Sequence, residues 1–485
     1  MGSSVDSGGP ATARFARRST RGVLLGFSAW RLAAVGVAVG ALLAGLLSGL
    51  GGTGLLVGLV FSGPLVAAAF VRVGGQHVVE WLPTVTAFAA RKAVGQTEYR
   101  ARIDRPRPAG TLALPGDAAA LRMFTDPTTR VCMMHDPHRG TLSAVLSVSH
   151  PAYLLLGPDA QQGRVAAWGR VLAGLASSGT CAGIQITEST IPDSGRGISE
   201  FYARHGAHRG GWAEDQYETL LAGNAVGAST HRTTITLSLD MKAAARQIKA
   251  AGGGVAGAAR VLGGDMAALE FGLRSAELQL GGWMDQTRIA HIVRQAFDPA
   301  LGGEFQPSAP GANLGHAGPL AVSEQWDRMH HDSGWSTVLW ISEWPRIEVP
   351  AQFLHALIFT PGVRKTFSLM ARPKSTADAL RQIRREKTEI IADSHQKAKV
   401  GQIQDLSDQQ EYDDVVARER ALISGHADVD FTGLIVVTDE TEEELEAAAR
   451  QVERAACQAG CETRVLWGRQ SQGFNAALPL GRSTL

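Results

Sequence analysis

One long stretch without charge constrains this chain more than any other feature. Residues 32–71 contain no Asp, Glu, Lys, Arg or His. A helix that crosses a bilayer needs about 20 apolar residues, so this stretch is too long for one crossing and fits two. A Gly- and Ser-rich segment at residues 48–54 interrupts it near the midpoint and is typical of a turn. The sequence therefore predicts two transmembrane helices, at about residues 33–47 and 55–71, joined by a very short turn.

Two other interpretations of this stretch fit its length less well. A buried helical hairpin of a soluble domain rarely extends this far without a charged residue. Arg17 and Arg18 before an apolar run resemble a twin-arginine signal. The run is much longer than the apolar core of a signal peptide, which has about 7–15 residues, and no convincing A-x-A cleavage site follows it. We therefore expect a membrane hairpin.

Basic residues on both sides of the hairpin predict its orientation. Arginines precede it, with Asp6 as the one acidic residue there, and in the flank that follows it, residues 72–107, seven basic residues stand against three acidic ones. Basic flanks remain in the cytoplasm, so we expect a multi-pass protein of the cell inner membrane with both termini cytoplasmic. Arg31, Arg72 and Trp81 are expected at the membrane interface, where long basic side chains snorkel and an indole ring lies at the headgroup level. If Arg31 snorkels, the first helix can also include residues 23–30.

The chain contains no signature of nucleotide hydrolysis or of metal chemistry. Residues 252–264 are Gly-rich but lack the Gly-Lys-Ser/Thr of a phosphate-binding loop, and residues 481–484 are only superficially similar. His135 and His138 flank an Asp-Pro turn without an apparent third ligand, which favours solvated turn residues over a metal site. We expect no catalytic residue, no metal and no cofactor, and we predict that the chain is not an enzyme.

Charge and cysteine content limit the partners and the redox state. The formal net charge of +1 creates no field that would favour nucleic acid as a general partner. Cys132, Cys181, Cys457 and Cys461 form no C-x-x-C pair and are too few for a metal site. We expect reduced thiols in a cytosolic domain.

Hydrophobic periodicity predicts an α+β membrane protein. Residues 1–22 are expected to form a basic disordered tail, residues 23–72 the membrane hairpin, and residues 73–110 a juxtamembrane helix followed by a basic linker. Residues 111–320 are predicted to form a first cytoplasmic α+β module with a helical block, and residues 321–485 a second module. The second module is read as βαβ, a long helical insert, and βαβ again, which matches a ferredoxin-like split βαβ fold.

Several segments resemble a known family. The hairpin with its basic flanks, followed by Trp81, Leu82 and Pro83, resembles the small PrgI-like inner-membrane subunits of type IV secretion systems. The remainder resembles the N-terminal region of TrbE/CagE-type secretion ATPases, at residues 340–345, 350–357, 431–437 and 473–480. Chains that combine both parts without a motor domain are similar to membrane proteins of actinobacterial conjugation-like gene clusters.

The resemblance implies a structural role. In the ATPase family a motor domain follows the segment that ends here at Leu480, so no catalytic residue of the motor carries over. The implied function is a non-catalytic inner-membrane scaffold of a type IV secretion or conjugation apparatus that docks a separate hexameric ATPase. The implied partners are that ATPase, other inner-membrane secretion subunits, the lipid bilayer and further copies of the chain, without direct nucleic-acid binding. A membrane-tethered sensor or regulator with a cytoplasmic ligand-binding domain is the main alternative, and a membrane enzyme is the third.

The last apolar residues of the chain are candidates for the surface that docks the ATPase. Trp467, Phe474, Leu478 and Leu480 lie in a stretch otherwise rich in Gly, Gln and Asn. A motor without a covalent link needs a non-covalent interface, and aromatic or apolar anchors carry most of the energy of such an interface. An equally weighted alternative is that these residues cover the edge of the last sheet.

The missing phosphate-binding loop gives a first testable prediction. The purified chain should not hydrolyse ATP in the presence of magnesium, because it lacks the Lys that contacts the β- and γ-phosphates and the hydroxyl that holds the metal. A phosphate-release assay with and without magnesium measures this. Magnesium-dependent turnover that persists through a second purification step would contradict the prediction.

Overall fold

The computed structural model describes two compact units of the chain. The described residues are 12–13, 15, 28–49, 51–73, 75–102, 104, 110–149, 153–192, 196–206, 210–224, 229–301, 315, 317–399 and 406–482, with side chains excluded at 196–200, 222–224, 396–399 and 406–408. One unit contains residues 18–97, and the other contains residues 1–17 and 98–485. The predicted disordered tail lies outside the described residues except for Thr12, Ala13 and Phe15, and so do residues 103 and 105–109 of the predicted basic linker.

The helices and strands follow in chain order. They are β1 (Thr12–Ala13), α1 (Ala29–Leu47), α2 (Gly52–Phe70), β2 (Arg72–Val73), β3 (Gln76–His77), α3 (Val78–Ala93), β4 (Glu98–Arg100), β5 (Arg122–Thr125), β6 (Cys132–Asp136), β7 (Thr141–Ser149), α4 (Pro158–Ser178), β8 (Cys181–Pro192), α5 (Arg196–His205), α6 (Trp212–Asn224), β9 (Ser229–Asp240), α7 (Ala245–Ala250), α8 (Gly254–Ser275), β10 (Gln279–Trp283), α9 (Gln286–Phe297), β11 (Ala321–Glu324), β12 (Met329–His331), β13 (Gly334–Glu343), β14 (Val349–Pro350), α10 (His355–Ile358), β15 (Arg364–Pro373), α11 (Thr376–Lys399), α12 (Leu406–Ile423), β16 (Val429–Asp439), α13 (Glu442–Gln458), β17 (Glu462–Val465) and α14 (Gln470–Ala477).

The uncharged stretch forms two helices, as predicted. α1 and α2 have 19 residues each, and both are long and apolar enough to cross a membrane. α1 begins at Ala29, so Arg31 lies in its first turn, where its backbone N–H donates to the Ser28 hydroxyl at 3.4 Å. This cap explains why the helix begins before the uncharged stretch does.

Small residues allow the two helices to approach closely. α2 buries Gly54, Gly58 and Ser62, which are spaced four residues apart. A Cβ atom on Gly45 of α1 would lie 2.5 Å from the carbonyl oxygen of Gly54, and one on Gly58 would lie 3.0 Å from that of Ala41. This small-xxx-small spacing packs helices through backbone contact, without needing a hydrophobic drive between them.

The rest of the hairpin surface is apolar and exposed. Small residues line the close contact between the helices, and many of the large side chains are exposed. Contiguous apolar patches of this size are rare on soluble proteins and mark interaction sites. The exposed large apolar residues include Val37, Leu43, Leu46, Leu47, Leu56, Leu59, Val60, Phe61 and Phe70.

One continuous sheet runs through the larger unit. Its order is β4-β11-β12-β13-β16-β15-β8-β9-β7-β6-β5, with β10 also paired to β7 and β17 also paired to β13. Strands of both predicted modules therefore lie in the same sheet, and the join is the antiparallel pair β8–β15. We call this pair the seam. Its register extends from Lys365 opposite Thr190 to Ala371 opposite Ile184.

The sheet is built from two repeats that meet at the seam. In the first repeat (residues 141–283) the strands lie in the order β10-β7-β9-β8, and in the second (residues 334–465) in the order β17-β13-β16-β15. In each repeat a pair of helices, α5–α6 or α11–α12, separates the second and third strands in sequence. Each repeat is preceded by a β-hairpin and followed by a short helix, α9 or α14.

Equivalent side chains support this duplication. The sequence from Ser143 reads Ser-Ala-Val-Leu-Ser-Val-Ser, and that from Ser336 reads Ser-Thr-Val-Leu-Trp-Ile-Ser. The Ser143 hydroxyl lies 2.8 Å from that of Ser238, and the Ser336 hydroxyl lies 2.7 Å from that of Thr438. Both pairs are buried between the first and third strands of their repeat, so the two halves use the same register as well as the same order.

Helices cover both faces of the sheet. On one face, α4 and α8 pack on the first repeat and α10 and α13 pack on the second, which gives two separate cores. On the opposite face, one core spans both repeats and includes α9, α14 and residues 112–121. Alternating strand residues explain this arrangement, since successive side chains point to opposite faces.

The close approach of α1 and α2 predicts which glycines matter. Gly45→Ala should lower the free energy of unfolding of the hairpin by about 1–3 kcal/mol, because its methyl group would meet the backbone of α2 and force the helices apart. An SDS titration in mixed micelles, followed by circular dichroism, measures this. Gly40→Ala is the matched control, because a Cβ there has nothing within 4 Å. Equal effects of the two changes would contradict the packing described here.

Candidate functional site

The C-terminal apolar residues are buried in the core that spans both repeats. Phe474, Leu478 and Leu480 expose 2%, 4% and 1% of their surface. The ring centroid of Phe474 lies 4.7 Å from that of Phe297. These three side chains therefore cover the sheet, which is the second of the two alternatives, and they form no exposed docking surface. Trp467 is half-buried, and its ring lies beside Trp326 at 6.3 Å.

Buried polar groups hold the C-terminal segment across the seam. The side-chain amide of Gln185 in β8 donates to the carbonyl oxygens of Ala476 and Leu478 at 2.8 and 2.9 Å. Its oxygen accepts from the backbone N–H of Gly481 at 3.2 Å. One glutamine thus replaces the sheet partners that this irregular backbone lacks, and it fixes the end of the second repeat on a strand of the first.

The helix that follows the first repeat crosses the seam in the other direction. The carbonyl oxygen of Phe297, at the end of α9, accepts from Nδ1 of His331 at 2.7 Å, and Nε2 of His331 lies 2.7 Å from the Ser336 hydroxyl. Burial lowers the pKa of His331 to about 4. The neutral ring therefore serves as a structural link between α9 and the second repeat, not as an acid–base group at neutral pH.

A small cavity of about 40 Å³ lies at the seam, between the sheet and these crossing segments. Arg232 of β9 and Arg364 of β15 both line it. Nη1 of Arg232 donates to the Gln295 side chain at 3.0 Å, and Nη2 of Arg364 donates to the Pro299 carbonyl at 2.8 Å. We call this space the seam cavity.

The residues before the hairpin occupy a second notable site. β1 pairs with β14, with Thr12 opposite Pro350 and Ala13 opposite Val349. The ring of Phe15 lies 5.2 Å from both Trp344 and Phe353 and 5.7 Å from Phe431. We call these three partners the aromatic notch, and Thr12, Ala13 and Phe15 the N-terminal arm. Aromatic clusters of this kind stabilise by area and by ring geometry together.

Arg31, Arg72 and Trp81, which we expect at the membrane interface, lie in the smaller unit. Arg31 and Trp81 donate to backbone carbonyl groups, and Arg72 donates to a histidine side chain. Nε of Arg31 donates to the Ala69 carbonyl at 3.0 Å, and the Trp81 indole N–H donates to the Val73 carbonyl at 3.0 Å. Nε of Arg72 donates to His77 at 3.3 Å. These contacts orient all three side chains near the ends of the helices, and their position at a membrane interface stays a prediction.

The described residues contain no group of three or more His, Cys, Asp or Glu side chains able to hold a metal ion. The described cysteines are free thiols. Burial raises the pKa of Cys132 and Cys181 to about 12 and that of Cys461 to about 11, so these three thiols are protonated at neutral pH and are poor nucleophiles.

Sequence patterns did not predict the seam cavity or the aromatic notch. Arg232 and Arg364 stand inside strands of alternating polarity, where a basic residue on one face reads as an ordinary solvent-facing position. Phe15 stands alone in a basic, small-residue segment. The one signal available was the repeated Ser-x-Val-Leu-x-Val/Ile-Ser pattern, which pairs the two halves and so locates their junction.

Comparison with known proteins adds no relative. No protein-family model matches the chain. No curated protein matches it either.

The buried position of Phe474 gives a stability prediction. Phe474→Ala should lower the free energy of unfolding of the larger unit by about 3–5 kcal/mol, because it leaves a cavity beside Phe297 and His331. Phe271→Ala on α8 is the matched control, since Phe271 is 77% exposed and should cost less than about 0.5 kcal/mol. Urea unfolding followed by tryptophan fluorescence measures both. A neutral Phe474→Ala variant would contradict the packing role.

Proposed function

We propose that this chain is a membrane-anchored, non-catalytic scaffold of a type IV secretion- or conjugation-like apparatus, and that it docks a separate hexameric ATPase. One structural observation carries the anchoring part of the proposal. An apolar two-helix unit is inserted, in sequence, between segments that belong to one other compact unit. The docking part is supported by the sequence resemblance.

Membrane insertion is supported by the surface of the hairpin. Its large apolar side chains face outward, while Gly54, Gly58 and other small residues face the partner helix. That distribution is the reverse of a soluble helical hairpin, in which large side chains fill the core, and it matches helices whose solvent is lipid. The lengths of α1 and α2 fit a bilayer core about 30 Å thick.

The inferred topology follows from what the two flanks contact. The N-terminal arm pairs with β14, and β4, which follows the hairpin, pairs with β11. Both flanks thus fold into the larger unit. Segments that fold together lie on one side of a bilayer, so the chain between them crosses an even number of times. The basic flanks support a cytoplasmic location for that side.

We place the ATPase on the helical hairpins of the repeats and not on the C-terminal segment. α5–α6 exposes Phe201, Trp212 and Leu220, and α11–α12 exposes Tyr412 and Ile423. Exposed aromatic residues of this kind are enriched as anchors of protein interfaces. We also assign each repeat to the ferredoxin-like group, on the β-α-β-β-α-β succession in which a helical pair replaces the central turn.

A second function, that of a membrane-tethered sensor, is favoured by one observation. The seam cavity lies between the repeats, and two arginines line it. A ligand bound there would contact both halves at once and could change how they pack. Co-purification separates the two functions, since a sensor needs no ATPase partner.

The topology is testable with reporters at both ends of the chain. A reporter fused before Met1 or after Leu485 should be active only when it is of the cytoplasmic type, because both flanks of the hairpin belong to one unit. A reporter inserted at residue 50, between the helices, should be active only when it is of the periplasmic type. Periplasmic activity at either terminus would refute the hairpin.

Docking is testable by co-purification from a host that also expresses the cognate secretion apparatus. The tagged chain should retain a P-loop ATPase, identified by mass spectrometry, in a stoichiometric complex. Trp212→Ala should reduce that retention at least tenfold, while Phe271→Ala, equally exposed on α8, should not. Retention that is unaffected by Trp212→Ala would overturn the docking surface, and absence of any ATPase would overturn the scaffold function.

A further inference from the structure

The seam cavity is lined by positively charged side chains, and no acidic side chain among the described residues lines it. Arg232 is half-buried, and among the described residues its one side-chain partner is the neutral amide of Gln295. Burial lowers the pKa of Arg232, with no acidic group acting against it. The charge of Arg232 in turn helps to lower the pKa of His291. The guanidinium remains charged at any physiological pH, so this corner of the fold contains an uncompensated cation.

A second cation shares the cavity. Arg364 is also half-buried, and its Nη2 donates to a carbonyl oxygen, that of Pro299. Burial lowers its pKa, and Asp439, Glu440 and Asp298 offset this only in part, without an ion pair to Arg364 among the described residues. Lys365 also lines the cavity, but its Nζ already donates to the Thr360 carbonyl at 2.9 Å.

Apart from these three basic residues, the polar lining is neutral. Ser189, Thr366 and Thr438 contribute hydroxyl groups, and Gln295 contributes its amide. No Asp or Glu from the described part of the chain lines the cavity. Hydroxyl groups can donate to an anion or accept from a cation, but two guanidinium groups can only donate. The donor set therefore fits an anion.

Placing a charge in a partly buried site without a counter-charge is unfavourable, because the loss of hydration is not offset by an opposite charge. We propose that the seam cavity is an oxyanion site that binds one phosphate group between Arg232 and Arg364. Guanidinium groups match phosphate oxygens in geometry and form charge-assisted hydrogen bonds with them. The proposal does not depend on the membrane or ATPase proposals above.

The size of the cavity limits the ligand. A single water needs roughly 10–15 Å³ measured in the same way, so about 40 Å³ has room for a small oxyanion and none for a nucleoside. The ligand is therefore inorganic phosphate, or a phosphomonoester whose remaining atoms stay outside. Because the arginines come from different repeats, the bound group would hold the two halves of the sheet together on this face.

Equilibrium dialysis of full-length protein in detergent, against labelled inorganic phosphate, tests the site. We expect about one phosphate per chain. Arg232→Gln and Arg364→Gln should each raise the Kd about tenfold or more, because each removes a charge-assisted hydrogen bond. Arg454→Gln on α13, an exposed arginine outside the cavity, is the matched control and should leave the Kd unchanged.

A thermal measurement gives an independent readout. At ten times the Kd, phosphate should raise the Tm of the wild type by about 2 °C and leave the Tm of Arg232→Gln unchanged. Without phosphate, Arg232→Gln should be at least as stable as the wild type, since it removes an uncompensated charge. If either variant fails to fold, the other variant and the wild type decide the question.

Each outcome of these experiments is informative. Absence of binding to the wild type at 10 mM phosphate would overturn the proposal, as would binding that both variants retain. Glycerol 3-phosphate distinguishes the two sources of the ligand. Tighter binding than inorganic phosphate supports a phosphomonoester with its bulk outside the cavity, and exclusion of glycerol 3-phosphate with retention of inorganic phosphate supports the free ion.

Discussion

The pairing of β8 with β15 is the interaction on which the larger unit depends. Without it, each repeat would be a small sheet with an open edge, and open edges invite pairing with other chains. The pairing also creates the single face on which α9 and α14 pack. The core around these two helices contains apolar residues from both repeats. The two similar halves therefore share one core on this face, and a shared core buries a larger fraction of the chain's surface than two small ones would.

The crossing segments make that join specific. Each repeat ends in a helix that packs across the seam, and the contacts of these helices are made by buried polar groups such as Gln185 and His331. An apolar face alone would tolerate a shift of register, whereas a buried amide with its bonds satisfied tolerates one arrangement only. The crossing segments leave the seam cavity unfilled by side chains, and Arg232 and Arg364 line it.

Sequence reasoning succeeded where the signal was local. The absence of charge over residues 32–71 indicated two helices, because the uncharged stretch is about as long as two membrane spans. It did not indicate that the Gly54–Gly58 spacing would form the interface. Predicting which strands pair was harder. Alternation at residues 365–370 indicates a strand but does not identify its partner, and the pairing with β8 joins residues that are far apart in sequence. For Phe474 and Leu478 the sequence favoured an exposed docking surface and a buried position equally. Apolar character alone does not show whether a residue packs inside its own fold or against a partner.

The N-terminal arm has a consequence for the order in which the chain matures. Thr12 and its partner Glu348 are 336 residues apart in sequence. Phe431 completes the aromatic notch, and at a synthesis rate of about 5–20 residues per second it emerges roughly 20–80 s after the arm does. During that interval Phe15 has no binding site, and the following hairpin has long left the ribosome. The arm therefore docks fully only after synthesis has reached Phe431, so a chain whose arm is docked has already made most of the second repeat.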